Sequence, residues 1–211
     1  MPIDVSVFGH AFNGGVLIDE WGRSTLDGLY AAGEAAAGPH GADRLGGNML
    51  MTSQVFGHRA GRAAATAALA AKPRGIDDAT LRAESARLAA MRRPDGRHGL
   101  GDLLARLQRR MWRIAIVRDQ RSLRDCLEAI GEVEDALKAA RVAGRDDLRR
   151  AMELENLLLV GRLVTTAALA RRESRGSHYR ADFPETDDTA WRRSLVFRCV
   201  DGRPVQTLAA L

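Results

Sequence analysis

The chain changes character once, at Lys72-Pro73-Arg74-Gly75, and that break restricts it to two differently built regions. Before the break, apolar stretches are short and interrupted by glycine. Val16-Leu17-Ile18 runs into Asp19-Glu20-Trp21-Gly22 and reads as a strand entering a turn. Leu29-Tyr30-Ala31-Ala32 reads as a second, buried strand. A glycine-rich loop follows Gly33-Glu34, and an alanine-rich helix then runs from Met49 to Ala71, with apolar positions at Val55, Ala60 and Ala63. Strand, loop and helix in that order form the tail of an α/β nucleotide-binding domain, in which a cofactor lies against backbone N–H groups at a helix N-terminus.

After the break the periodicity is helical. Asp77 to Met91 reads as a short amphipathic helix ending before Pro94-Asp95-Gly96. Leu100 to Val117 is longer, with Leu103, Leu107, Met111 and Ile114 at helical spacing. Ser122 opens a third, running to about Ala143, and Asp146 or Asp147 a fourth, running to Arg172. Short loops between them indicate an antiparallel bundle. Ser194–Val200, Asp201-Gly202 and Pro204–Leu208 read as a β-hairpin. The expected fold is therefore α+β: the last strands and helix of an α/β domain (1–72), a helical domain (76–184), and an extended tail with the hairpin (185–211).

Composition narrows the function classes. At 211 residues, with 45% hydrophobic and 28% charged, the chain reads as an ordinary soluble globular protein. No apolar stretch approaches a membrane span, and Met1-Pro2-Ile3-Asp4 lacks the features of a secretory signal. Cys126 and Cys199 lie too far apart in sequence and context for a disulfide framework or a metal site, which favours a reducing cytoplasm. The net charge of +5 invites a nucleic-acid reading, but aromatic residues are only 5%, too few for base stacking. Lys72 and Lys138 are the only lysines among 32 basic residues, and acids intersperse the arginines between Arg92 and Arg124. No nucleic-acid partner is expected.

Three groups of residues carry chemistry. Glu34, at the end of a strand, is placed to accept both hydroxyl hydrogen bonds of a ribose or ribityl chain. Gly41, Gly46 and Gly47 flank Arg44 and Asn48 and let the backbone approach a ligand; Asn48 is also placed to cap the following helix. His10, His40 and Arg44 suit a dicarboxylate, because arginine pairs with carboxylates through two parallel hydrogen bonds. A further cluster, Ser174–Pro184, is dense in His, Arg and Asp, for which a salt-bridge knot is the plain explanation.

These motifs, in this order, resemble the C-terminal third of the succinate dehydrogenase/fumarate reductase flavoprotein superfamily, which includes L-aspartate oxidase. His10 with Gly14-Gly15, Gly28–Glu34 and His40–Asn48 carry the resemblance. Leu107–Trp112, Ile116-Val117-Arg118, Glu153–Asn156 and Ser174–Pro184 extend it through the helical part. The resemblance implies an FAD-dependent oxidoreductase that passes a hydride between flavin and a dicarboxylate or related substrate. By motif position His10 and Arg44 would be catalytic, and His10, His40 and Arg44 would bind substrate. Gly14, Gly15, Glu34, Asn48, Met49 and Leu50 would meet the cofactor, with no metal among the site groups.

The sequence departs from the family pattern at Ala11, Phe12, Asn13, Asp43 and Met49, all around the expected substrate and flavin. It also shows neither the family's N-terminal dinucleotide fingerprint nor its capping domain. The resemblance therefore implies either a second polypeptide carrying those domains, with this chain inactive alone, or a longer enzyme of which this chain is a fragment. It leaves room for an iron–sulfur subunit, and for a peripheral position on the inner face of a membrane through partners. The alternative is a non-catalytic scaffold or assembly subunit derived from such a flavoprotein. Substrate, direction of electron flow, electron acceptor and covalent attachment of FAD stay open.

Overall fold

A computed structural model describes residues 10–72 and 75–210. The chain divides into two compact units, Met1–Arg74 and Gly75–Leu211.

In the first unit, β1 (Val16–Leu17) pairs in parallel with β2 (Ala36–Ala37), Val16 facing Ala36 and Leu17 facing Ala37. A single 3-10 turn, Gly33–Ala35, leads directly into β2. The helix α1 (Asn48–Ala70) is rich in alanine, which favours helix intrinsically, and Ala60 is its buried residue. The buried strand read at Leu29–Ala32 does not form. The chain instead folds back on itself: the Ser24 N–H donates to the Leu29 carbonyl at 3.0 Å and the Ala31 N–H to the Gly22 carbonyl at 2.9 Å. Leu29 stays 44% exposed. Its neighbours are partnered by residues 22–24 in this reversal rather than by flanking strands, so the apolar run is not enclosed.

The second unit is built on α3 (Leu100–Arg113), α4 (Gln120–Leu137) and α5 (Arg145–Ala170), with α2 (Asp78–Met91) laid against them. Leu103, Leu107 and Ile114 meet Leu123, Ile130 and Val133 of α4 and Leu154 and Leu158 of α5 in one apolar core. Cys126 belongs to it, with its sulfur 3.7 Å from Met111 Sδ and 3.8 Å from Thr165 Oγ1; burial pushes its thiol pKa up.

Helix starts follow capping chemistry more closely than apolar spacing. Asp77 accepts from the Ala79 and Thr80 N–H groups at 2.8 and 3.0 Å, placing the start of α2. At α4 the cap is Asp119, three residues before the expected Ser122. Asp119 Oδ1 accepts from the Ser122 N–H at 2.7 Å, and Ser122 Oγ accepts from the Asp119 N–H at 3.1 Å, closing a capping box. The same helix ends at Leu137, not near Ala143, because residues 139–142 pair with the segment after α2. The Arg93 N–H donates to the Val142 carbonyl at 2.9 Å and the Val142 N–H to the Arg93 carbonyl at 2.8 Å. Likewise α3 stops at Arg113, and Val117–Arg118 form β3, parallel to β4 (Tyr179–Arg180).

After β4, a short helix α6 (Asp188–Trp191) precedes the terminal hairpin of β5 (Arg193–Val200) and β6 (Arg203–Ala210). Its two-residue turn has positive φ at both Asp201 (50°) and Gly202 (73°), the mirror-image geometry that suits the right-handed twist of a two-stranded ribbon. Among the described residues no helix is long and apolar enough to cross a membrane.

Candidate functional site

The sequence motifs of the first unit converge through a small set of bonds. The Phe12 N–H donates to Glu34 Oε1 at 2.7 Å, tying the segment after His10 to the 3-10 turn. The Asn13 side-chain amide donates to Asp43 Oδ1 at 3.3 Å, tying the same segment to the loop that carries Arg44. The backbones approach closely at Gly15. A Cβ there would sit 2.3 Å from the Ala35 carbonyl oxygen, and its φ of 141° also suits glycine. Any side chain at Gly15 would therefore push the two segments apart.

Glu34 is exposed, and its bond to Phe12 engages only Oε1, which leaves Oε2 able to accept through both its lone pairs. Asp43 organises the loop: its Oδ1 accepts from the Arg44 N–H at 2.8 Å and lies 3.7 Å from Arg44 Nη1. Arg44 is half-buried, and its Nε is buried without a hydrogen-bond partner among the described residues. His40 is 7% exposed, with Nε2 3.1 Å from Thr52 Oγ1 on α1 and Nδ1 buried without a partner among the described residues. His40 thus faces α1 rather than solvent, while His10 is exposed at the edge of the segment that makes the two links.

Asn48 does not cap α1. It is the first helical residue, preceded by Gly47 at φ 79°, and the helix has no side-chain cap. The leading N–H groups of a long helix are consequently left without a side-chain acceptor, beside Met49 and a Leu50 that is 70% exposed. Ser53 supports the arrangement: its Oγ donates to the Met49 carbonyl at 2.8 Å, and its side chain packs against Gly33. Sequence reasoning passed over Thr52 and Ser53; their places one turn into an alanine-rich helix, next to the loop, were the available signal.

These features fit a nucleotide cofactor with a ribose and a negative pole. A carboxylate oxygen outside the Phe12 bond, a helix N-terminus without a side-chain cap, a glycine-rich loop and two buried nitrogen atoms without a partner among the described residues belong to one stretch of the first unit. Among the described residues no group of three or more His, Cys, Asp or Glu side chains is arranged for a metal ion.

The Ser174–Pro184 cluster is a structural knot. Arg180, 1% exposed, donates through Nη1 to the carbonyls of Ala168 (2.6 Å), Leu169 (3.2 Å) and Arg171 (3.0 Å), satisfying the C-terminal end of α5. Its Nε and Nη2 form a two-pronged pair with Asp182 at 2.8 Å each, and this guanidinium holds the Asp182 carboxyl down at about 2. Glu173 is fully buried. Burial opposes its ionisation, but Arg175, the Asp187 N–H and Arg171 outweigh that and keep its pKa below the usual value. His178 bonds the Arg171 carbonyl, while its Nε2 is buried and unpartnered among the described residues. Burial and the nearby Arg118 charge push its pKa down to about 4.

Comparisons with known proteins agree across the chain. A family model described as the fumarate reductase flavoprotein C-terminal region matches residues 104–207, and one described as an FAD binding domain matches residues 2–50. A fumarate reductase (CoM/CoB) subunit of Methanothermobacter marburgensis is 44% identical over 200 residues, covering 92% of this chain and 36% of that protein. L-aspartate oxidase of Rhodospirillum rubrum is 35% identical over 215 residues, covering 98% of this chain and 69% of that protein. Sdh1 of Mycobacterium smegmatis in complex with UQ1 superposes with a TM-score of 0.84 at 32% identity, covering 93% of this chain and 35% of that one. The chain thus spans about a third of the length of the first of these relatives.

Proposed function

The chain belongs to the succinate dehydrogenase/fumarate reductase family of FAD-dependent oxidoreductases, and we propose that it supplies the substrate-facing edge of the flavin site. In this reading the dinucleotide-binding and capping domains, on a second polypeptide or elsewhere in a longer chain of which this is a piece, complete the site. The observation that carries it is the convergence of three motifs, through Phe12 with Glu34 and Asn13 with Asp43, beside Arg44 Nε and His40 Nδ1, both buried without a partner among the described residues.

Each residue then has a physical task. Glu34 accepts ribose hydroxyls through Oε2, while Oε1 keeps the Phe12 segment in register. Gly14 and Gly15 hold the backbone close enough for that contact. Asn48, Met49 and Leu50 would hold the flavin ring at the uncapped α1 terminus, whose positive end favours negative charge on it. Arg44 and His10 bind the carboxylates of a dicarboxylate, and Arg44 stabilises the charge that develops as the carbon–carbon bond changes order. His40, anchored on Thr52, turns Nδ1 toward the same groups. FAD, when bound, supplies the hydride chemistry; the chain supplies orientation and electrostatics.

Co-expression with a polypeptide carrying those two domains should give a complex with flavin absorbance co-eluting on size exclusion, and the chain alone should bind FAD weakly. In that complex, Arg44→Gln should leave flavin content intact and lower turnover on the order of a hundredfold or more. A colourless chain that does not associate with such a polypeptide would overturn the proposal.

A further inference from the structure

One charged cleft in the helical unit is used neither by the core nor by the flavin reading. Arg106, Arg109, Arg110 and Arg113 recur at three- and four-residue spacing and share one flank of α3. With Ala129, Glu132 and Val133 of α4 they line a cleft of about 220 Å³. Glu132 is its one acid, and it pairs with Arg106 at 3.3 Å. Arg109, Arg110 and Arg113 have no ion-pair partner among the described residues.

Such a row is unfavourable in the free helix, because like charges three and four residues apart repel. Arg110 and Arg113 gain something from the negative end of the α3 dipole, since both lie in its last turn. That leaves Arg109 and most of the crowding without compensation. The row runs over seven residue steps, about 10 Å of helix axis, further than a lone phosphate or carboxylate can reach. A chain bearing successive carboxylates can match it, because same-face side chains recur every 6 to 7 Å in a strand, roughly, and at a similar spacing on a helix. Trp112 lies one turn from Arg109 and is 53% exposed, and Ile116 and Val117, just past the helix, are exposed as well. Arginine and tryptophan side by side, next to exposed aliphatic groups, are the side chains enriched where proteins meet.

We propose that this α3–α4 cleft is a docking site for an acidic segment of a partner polypeptide, its carboxylates bound along the row from Arg106 to Arg113, of which Arg106 is shared with Glu132. The proposal does not depend on the flavin reading. The docking is electrostatic and so weakens with salt. Glu132 competes with the partner for Arg106, so it limits how tightly the segment binds.

The test uses the full chain and fluorescein-labelled hexaglutamate, followed by anisotropy at low salt. Arg109→Glu/Arg113→Glu should weaken binding about tenfold or more. A reversal of equal charge on the exposed part of α4, Arg121→Glu/Arg124→Glu, should change it little. Glu132→Gln should tighten binding severalfold, a gain that loss of structure cannot produce, and circular dichroism melts confirm that all variants fold. Equal weakening by the two double reversals, no binding by the wild type, or no gain from Glu132→Gln overturns the proposal. Displacement by tripolyphosphate or by a short DNA duplex at lower concentration than by unlabelled hexaglutamate overturns it too, assigning the cleft to a small polyanion or to nucleic acid.

Discussion

The residues from His10 to Lys72 and those from Gly75 to Ala210 use their apolar side chains in opposite ways. In the first region Phe12, Leu45, Leu50 and Met51 are all more than half exposed, and the buried residues are Ala36, Ala60, Gly22 and His40. Its sheet is two residues long on each strand, and its links are single hydrogen bonds between loops. In the second region, leucine, isoleucine and valine from three helices close over one another, and even the buried charges are bonded. The first region leaves most of its apolar side chains uncovered; the second closes its core over itself. The packed core and the proposed site are thus carried by different parts of one chain, and a substitution should affect one without the other.

The sharpest way to break this contrast is through Arg180. Arg180→Leu leaves three carbonyls and the Asp182 carboxylate without their partner, and should cost about 3–5 kcal/mol in urea unfolding. A cost below 1 kcal/mol, roughly, would show that water replaces the guanidinium and that the knot is not structural. Leu158→Ala, at 2% exposure, should cost about 3 kcal/mol through lost burial and the cavity it leaves.

A smaller effect comes from pH. His178 has its pKa lowered from 6.5 to about 4, so the folded state resists protonation more than the unfolded one. Its contribution is fully present above about pH 6.5 and is lost as pH falls toward about 4. Thermal melts of the wild type should therefore fall across that window, and His178→Gln should flatten the fall. An unchanged slope would assign it to other groups. The smallest expected change is in the first region: Arg44→Gln should change the unfolding free energy by less than about 0.5 kcal/mol, since its Nε has no partner among the described residues and its 3.7 Å approach to Asp43 is a surface ion pair worth little. A large destabilisation would make Arg44 a structural residue and weaken the substrate reading.

Much of the helical unit was legible because its core obeys one period. Leu103, Leu107 and Met111 recur at helical spacing, and each lies on the packed face of α3. The ends were less so. Ser122 has the right chemistry for a cap, but Asp119 outcompetes it three residues earlier, and Ser122 serves as the other half of the capping box. Leu29–Ala32 misled for a different reason: an apolar run announces burial only if something covers it, and here the chain turns back before that occurs. At the site, the glycine loop was readable from Gly41, Gly46 and Gly47, whereas the tie from Phe12 to Glu34 was not. That tie uses a backbone N–H, which every residue type but proline carries, so composition holds no trace of it.

The two cysteines give the bundle a built-in clock. Cys199 is exposed on β5 and Cys126 is sealed between α3, α4 and α5. A thiol reagent therefore meets Cys199 at once, but reaches Cys126 only when the helices separate. The slow phase of labelling would measure how often the bundle opens under native conditions, with no residue changed.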